Sequence, residues 1–337
     1  MNILFAAMNA VLPIILLSVV GYWLKRIGFL TEPFIKTGSK MVFRVCLSCS
    51  LFVNVYNIDN LSAIPWDVVL YCLIIVCVLF GLGLVSAVLT TKIPARRGVI
   101  LHAVFRSNFA IIGLSLAANL GGDAAAAVAS VVSAFAIPLY NVLGVISLTL
   151  FTGGGKKLSL RKFVLDILKN PMILGALVGA LCLALRNLQS LVFGQPVFVI
   201  KEHIPFVFET VNKIKTMTTP LALIVLGAQF EFSAVKGLFK EIVVGTLWRT
   251  VLAPLIGVGA AVVLSKYTNC IAFDIHAYPA IIALFGAPVA VSTGVIAAEM
   301  GGDEQLATQL VVWSSLASIF TIYITVCIMM VGGLLAV

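Results

Sequence analysis

The chain has 337 residues, 61% of them hydrophobic and 10% charged, with a net charge of +9. A soluble domain carries roughly a quarter of its residues as charges, so this composition and a mean hydropathy of +1.16 exclude that class. The basic residues fall in short clusters between apolar runs, with no basic face interleaved with aromatics, which excludes a nucleic-acid partner.

The apolar runs are each long enough to cross roughly 30 Å of hydrocarbon as a helix. They predict an all-α polytopic protein of the cell membrane, with the lipid bilayer as its main environment. The opening MNILFAAMNAVLPIILL lacks a basic n-region and reads as the lead into a first span rather than a signal peptide. Ten spans follow: Val11–Leu24, Lys40–Tyr56, Trp66–Leu89, Gly98–Leu120, Ala124–Phe151, Pro171–Leu185, Met217–Phe230, Val243–Leu264, Tyr278–Met300 and Leu306–Leu334. Between the sixth and seventh, VFVIKEHIPFVFETVNKIKT mixes apolar and charged residues as an interfacial helix would.

Orientation follows from the loop cations. Lys25, Arg26, Lys36, Lys40, Arg44, Lys92, Arg96, Arg97, Lys156, Lys157, Arg161, Lys162, Lys169, Lys236 and Lys240 share one side, while Arg186, Lys201, Lys213, Lys215 and Lys266 share the other. The richer side is cytoplasmic, and both termini then face out.

The turn Gly121-Gly122-Asp123 returns 180 residues later as Gly301-Gly302-Asp303. At that offset Phe105 meets Phe285, Ala110 meets Ala290, Ala117 and Ala118 meet Ala297 and Ala298, and Val131 and Val132 meet Val311 and Val312. PIILLSVVG (Pro13–Gly21) echoes PMILGALVG (Pro171–Gly179), and GLGLVSAVLTTK (Gly81–Lys92) echoes LIGVGAAVVLSK (Leu255–Lys266). The order of these echoes predicts two five-span repeats, residues 1–155 and 156–337. An odd number of spans makes the second repeat enter from the opposite face, as in secondary transporters with a midplane site.

Two spans carry interruptions at matched places. Arg106, Ser107 and Asn108 precede Gly113 in the fourth, and Ala287 and Pro288 precede Ser292 and Thr293 in the ninth. Pro288 lacks an N–H and disfavours helix at Ala287. Broken helices belong where they line a cavity, and half-helix N-termini favour an anion. The expected substrate-binding set is therefore Arg106, Ser107, Asn108, Gly113, Ala287, Pro288 and Thr293, with Asn54, Asn57 and Asn141 as polar neighbours. Two accounts fit Arg106: it attracts an anion, or it snorkels to the surface. Arg249, beside Trp248, reads as structural or snorkelling. Asp123 and Asp303 read as turn or cap residues.

Cys46 and Cys49 form a C-x-x-C without a second pair, so no metal site is expected. No nucleotide loop, zinc motif or nucleophile triad is present, so neither an enzyme nor a cofactor is expected, beyond a coupling proton or sodium ion.

The motifs SNFAIIGLSLA, PLYNVLGV (Pro138–Val145), NPMILGALVG (Asn170–Gly179), PLALIVLG (Pro220–Gly227) and FGAPVAVSTGVIAAEMGG resemble the auxin efflux carrier family. That family holds the plant PIN carriers and bacterial transporters of malonate, malate and related acids, within the bile, arsenite and riboflavin transporter superfamily. The resemblance implies a scaffold of spans 1, 2, 6 and 7, a transport domain of spans 3–5 and 8–10, and crossed helices 4 and 9. It further implies elevator movement, a homodimer and a small organic anion, carboxylate or indole acid, as substrate. Plant members carry proline at both crossovers, whereas the fourth span here has Asn108-Phe109. The short Thr152–Leu160 loop favours a bacterial type. A sodium-coupled carrier of the bile-acid type is the alternative with the same inverted plan; a channel or receptor is further off.

Overall fold

In hydrocarbon a backbone must satisfy its own donors and acceptors, so a chain this apolar folds as helices. The computed structural model describes residues 3–57, 65–152, 171–268, 271 and 273–335, and among them there is no strand, only one isolated bridge. Helix α1 spans Ile3–Arg26, α2 Glu32–Met41 and α3 Leu47–Tyr56, with a wide π-type turn at Val42–Cys46 joining the last two. α4 (Trp66–Thr90) is followed by α5 (Pro94–Phe105), which starts on a proline where the missing N–H has no helical partner. A π-type turn at Phe109–Gly113 leads into α6 (Leu114–Thr152). Then come α7 (Pro171–Phe193), α8 (Ile200–His203) and α9 (Pro205–Gln229). α10 (Ala234–Leu247) and α11 (Ala253–Val262) are joined through Trp248–Leu252 and extended by Val263–Tyr267. α12 (Ala277–Gly286), α13 (Ser292–Glu299) and α14 (Glu304–Val331) complete the order.

Five helical stretches among the described residues are long and apolar enough to cross a membrane: Trp66–Thr90, Leu116–Phe151, Ile173–Phe193, Ala234–Lys266 and Glu304–Val331. Of the other expected spans, the first is the single helix α1, and the rest are interrupted or mixed. The second is divided by its π-type turn, the fourth and ninth are broken, and α9 carries Lys213 and Lys215.

Several spans are longer than the hydropathy reading gives: the first starts at Ile3 rather than Val11, and the eighth at Ala234 rather than Val243. The sixth span does not stop at Leu185 but runs to Phe193, because Arg186 lies over the Tyr56 ring at 5.3 Å and is accommodated within the helix. The seventh begins at Pro205, so most of the segment expected to lie at the interface is the first half of α9. The loop at Thr152–Leu160, the cations from Lys156 to Lys169, the 155/156 repeat boundary and Cys270 lie outside the described residues.

Helices α1 and α9 pack together, as do α3 with α7 and α9, while α4, α5, α6 and α10–α14 pack largely among themselves. The first group is joined at glycine. A Cβ on Gly21 would collide with the backbone of Ile224, and one on Gly179 with the backbone at Phe52. These are matched residues of the PIILLSVVG and PMILGALVG echoes, and each brings its helix into backbone contact with a neighbour.

The two Gly-Gly turns are also built. Gly122 and Gly301 adopt φ of 66° and 74°, the left-handed region that glycine enters without steric cost. Asp303 caps α14, its Oδ1 accepting from Leu306 N at 2.9 Å, and its Oδ2 accepts from Arg96 Nε at 3.0 Å.

Candidate functional site: a cavity at the crossing of two broken helices

The fourth span leaves helical geometry at Arg106 (φ −90°, ψ 108°) and the ninth at Ala287 (φ −63°, ψ 146°). The two extended segments run antiparallel, with Ser107 bridged to Val289. Asn108 N donates to the Pro288 carbonyl at 2.7 Å, and Ala290 N donates to the Arg106 carbonyl at 3.4 Å. Asn108 and Pro288, the pair matched at the 180-residue offset, thus face one another directly.

Proline accounts for the break in the ninth span, but the fourth has none. Arg249 supplies the reason. In a continuous helix the carbonyls of Val104 and Phe105 would accept from residues four further on. Instead Arg249 Nη1 donates to them at 3.2 and 3.3 Å, and Nη2 donates to the carbonyl of Phe285 at the end of α12. Val289 N turns to Ser314 Oγ at 3.0 Å. One fully buried guanidinium therefore closes the C-terminal ends of both half-helices, where the helix dipole favours a cation. Arg249 is structural and does not snorkel.

Arg106 does not reach the surface either. It is 5% exposed, and its Nη2 donates to Asn141 Oδ1 at 2.7 Å and Ser292 Oγ at 2.9 Å, while Nη1 donates to the Tyr140 carbonyl at 3.1 Å. These partners are neutral, and no ion pair involves Arg106 among the described residues. Ser107 Oγ lies 3.2 Å from Tyr140 Oη, and Asn141 Nδ2 donates to the Ile137 carbonyl at 2.7 Å.

Beside the crossing lies a cavity of about 300 Å³, at the small end of the roughly 300–1,000 Å³ typical of ligand clefts. Arg106, Ser107, Asn108 and Asn141 line it, with Tyr140 and Ser292, and Ser50, Lys215, Thr218 and Thr219 are contributed by α3 and α9. No Asp or Glu lines it among the described residues. Three buried polar atoms on its wall lack a hydrogen-bond partner: Arg106 Nε, Asn108 Nδ2 and Thr218 Oγ1. The wall offers donors and a positive charge, which is the chemistry of an anion site.

Of the remaining expected residues, Ala287 and Pro288 form the crossing without lining the cavity, and Gly113 makes room for the Phe109 ring. Thr293 is wholly buried off the cavity wall, where its neighbour Ser292 stands instead. Asn57 is exposed at the end of α3, and the side chain of Asn54 lies outside what is described. The sequence reading missed Lys215, Thr218 and Thr219 by assigning Lys215 to a loop. The signal was available: Lys215, Thr218, Thr219 and Ala222 follow the i, i+3, i+4, i+7 spacing of one helix face.

A comparison with curated proteins finds no match. A family model described as membrane transport protein matches residues 6–152 and 155–326. With its apolar helices and that match along nearly its whole length, the chain is a multi-pass membrane protein belonging to the membrane transport protein family of auxin efflux carrier type.

Proposed function

We propose that this protein is a secondary transporter of small organic anions whose substrate binds in the cavity beside the crossing. The carrying observation is Arg106: a buried guanidinium on the cavity wall, held by neutral partners and keeping an unpartnered Nε. A buried cation without a counter-ion is costly, and an anionic ligand is the group that would offset it. The second halves of both broken helices begin at the same place, adding dipole ends that favour negative charge.

The movement is alternating access between two inverted five-span repeats, of the elevator kind. Three features support it. The crossing segments are antiparallel and pair matched residues. Each Gly-Gly turn meets the start of the other broken span, Gly121 against Pro279 and Asp303 N on the Ala95 carbonyl at 3.2 Å. The α1, α3, α7 and α9 group, corresponding to spans 1, 2, 6 and 7, is the natural scaffold, with the cavity between it and the remaining helices. The exposed apolar face of α7, including Leu174, Leu177, Leu181 and Leu188, is the surface on which a homodimer would close. The cation-rich side faces the cytoplasm, with both termini outside.

Uptake of labelled carboxylic and indole acids into proteoliposomes, with and without proton or sodium gradients, tests this reading and identifies the coupling ion. Arg106→Gln should abolish saturable uptake while leaving a monodisperse protein. Unchanged kinetics in that variant would overturn the anion site.

A further inference from the structure

We propose that Lys215 is a specificity-determining residue that receives a second anionic group of the substrate, so that the cavity selects dianions over monoanions of the same length. The proposal rests on the reading of this cavity as the substrate site.

Lys215 stands on α9, on the same helical face as Thr218 and Thr219, and lines the same cavity as Arg106 from a different helix. It is partly buried, and no salt bridge or hydrogen bond holds its ammonium among the described residues. A lysine inside a membrane span costs free energy to insert unless it pairs, snorkels or serves a polar cavity. The helix around it is built for the third case. Pro220 removes the N–H that would occupy the Thr216 carbonyl, and the Thr218 hydroxyl is buried without a partner on the same wall. Thr216 Oγ1 turns back to the Lys213 carbonyl at 2.7 Å.

The two cations differ in character and in the body that carries them. Arg106 is fixed through both Nη atoms and keeps one free donor, Nε, held in a set direction and suited to orienting one carboxylate oxygen. Lys215 is a flexible point charge that can follow a second carboxylate of variable reach. Arg106 belongs to the crossing, and Lys215 to the α1, α3, α7 and α9 group. A dianion touching both ties the two groups of helices together across the cavity, which a monoanion held by Arg106 alone does not.

The test uses the full chain, purified and reconstituted, with succinate and butyrate as four-carbon probes differing in one carboxylate. The parent should prefer succinate. Lys215→Gln should raise the succinate KM by about tenfold or more, the loss of one charge-assisted bond, and leave butyrate within about twofold. Lys215→Arg should restore most of the preference, and Arg106→Gln should lose both acids. An unchanged succinate-to-butyrate ratio in monodisperse Lys215→Gln overturns the assignment while leaving the anion site standing, as does an equal loss for both acids. A parent protein that binds neither acid nor their three- and five-carbon homologues overturns both readings.

Discussion

Replacing Asn108 by leucine separates ligand binding from folding. The Asn108 side chain is 3% exposed on the cavity wall, and its Nδ2 has no partner in the protein. A buried donor left unsatisfied costs about 1–3 kcal/mol, so removing it sacrifices no side-chain bond made by Nδ2 in the empty protein. The bond that holds the crossing, Asn108 N to the Pro288 carbonyl at 2.7 Å, belongs to the backbone and survives. Leucine keeps the branched outline of asparagine, and its larger methyl groups can extend into the cavity that Asn108 lines, so packing should hold. What disappears is a donor for the bound anion, worth about 1.5–3 kcal/mol when the partner is charged. That corresponds to a Kd raised by about 10- to 150-fold. Equilibrium binding of labelled substrate to purified protein measures the first quantity, and a thermal melt in the same detergent measures the second. The expected result is weak binding with a melting temperature equal to or above the parent's. Parent-like affinity in monodisperse Asn108→Leu would remove this amide from the site. A melting temperature that falls in proportion to affinity would show that the residue acts through folding.

Arg249→Met abandons three carbonyls at about 1–3 kcal/mol each, partly offset by the ~2.5–3.5 kcal/mol insertion cost of the arginine itself; a net loss of roughly 3 kcal/mol should lower resistance to denaturation. Arg249→Lys should recover part of it, and a methionine variant as stable as the parent would refute the bracing role. Pro288→Ala restores an N–H that can reach the Leu284 carbonyl, so α12 should lengthen into the crossing and slow uptake severalfold in well-folded protein. Parent-like uptake would mean that the bridge between Ser107 and Val289 holds the break unaided. Gly227→Leu should prevent recovery of monodisperse protein, because a Cβ there collides with the Ser18 backbone, whereas Gly237→Leu, with open space around it, should be silent. Equal behaviour of the two in size-exclusion chromatography would contradict the close packing of α1 on α9.

Hydropathy and period alone determined that this is a helical membrane protein, since composition decides which solvent a chain tolerates. The matched interruptions at Asn108 and Pro288 were legible too, because proline chemistry is local and the echo of Gly-Gly-Asp is a property of the string. Tertiary structure decided the rest. The fourth span breaks without proline because Arg249, more than 140 residues away, takes the carbonyls that its continuing ladder would use. Arg106 becomes a cavity cation rather than a snorkelling one because Asn141 and Ser292 come from other helices to hold it. Lys215 looked like a loop residue because a local hydropathy window averages its charge with Lys213 and Glu209. Only the packing of α9 beside the crossing makes one face of that helix part of a polar cavity. Hydrophobic burial is additive along the chain and can be read from it, whereas the worth of a buried charge depends on partners that the fold alone brings within reach.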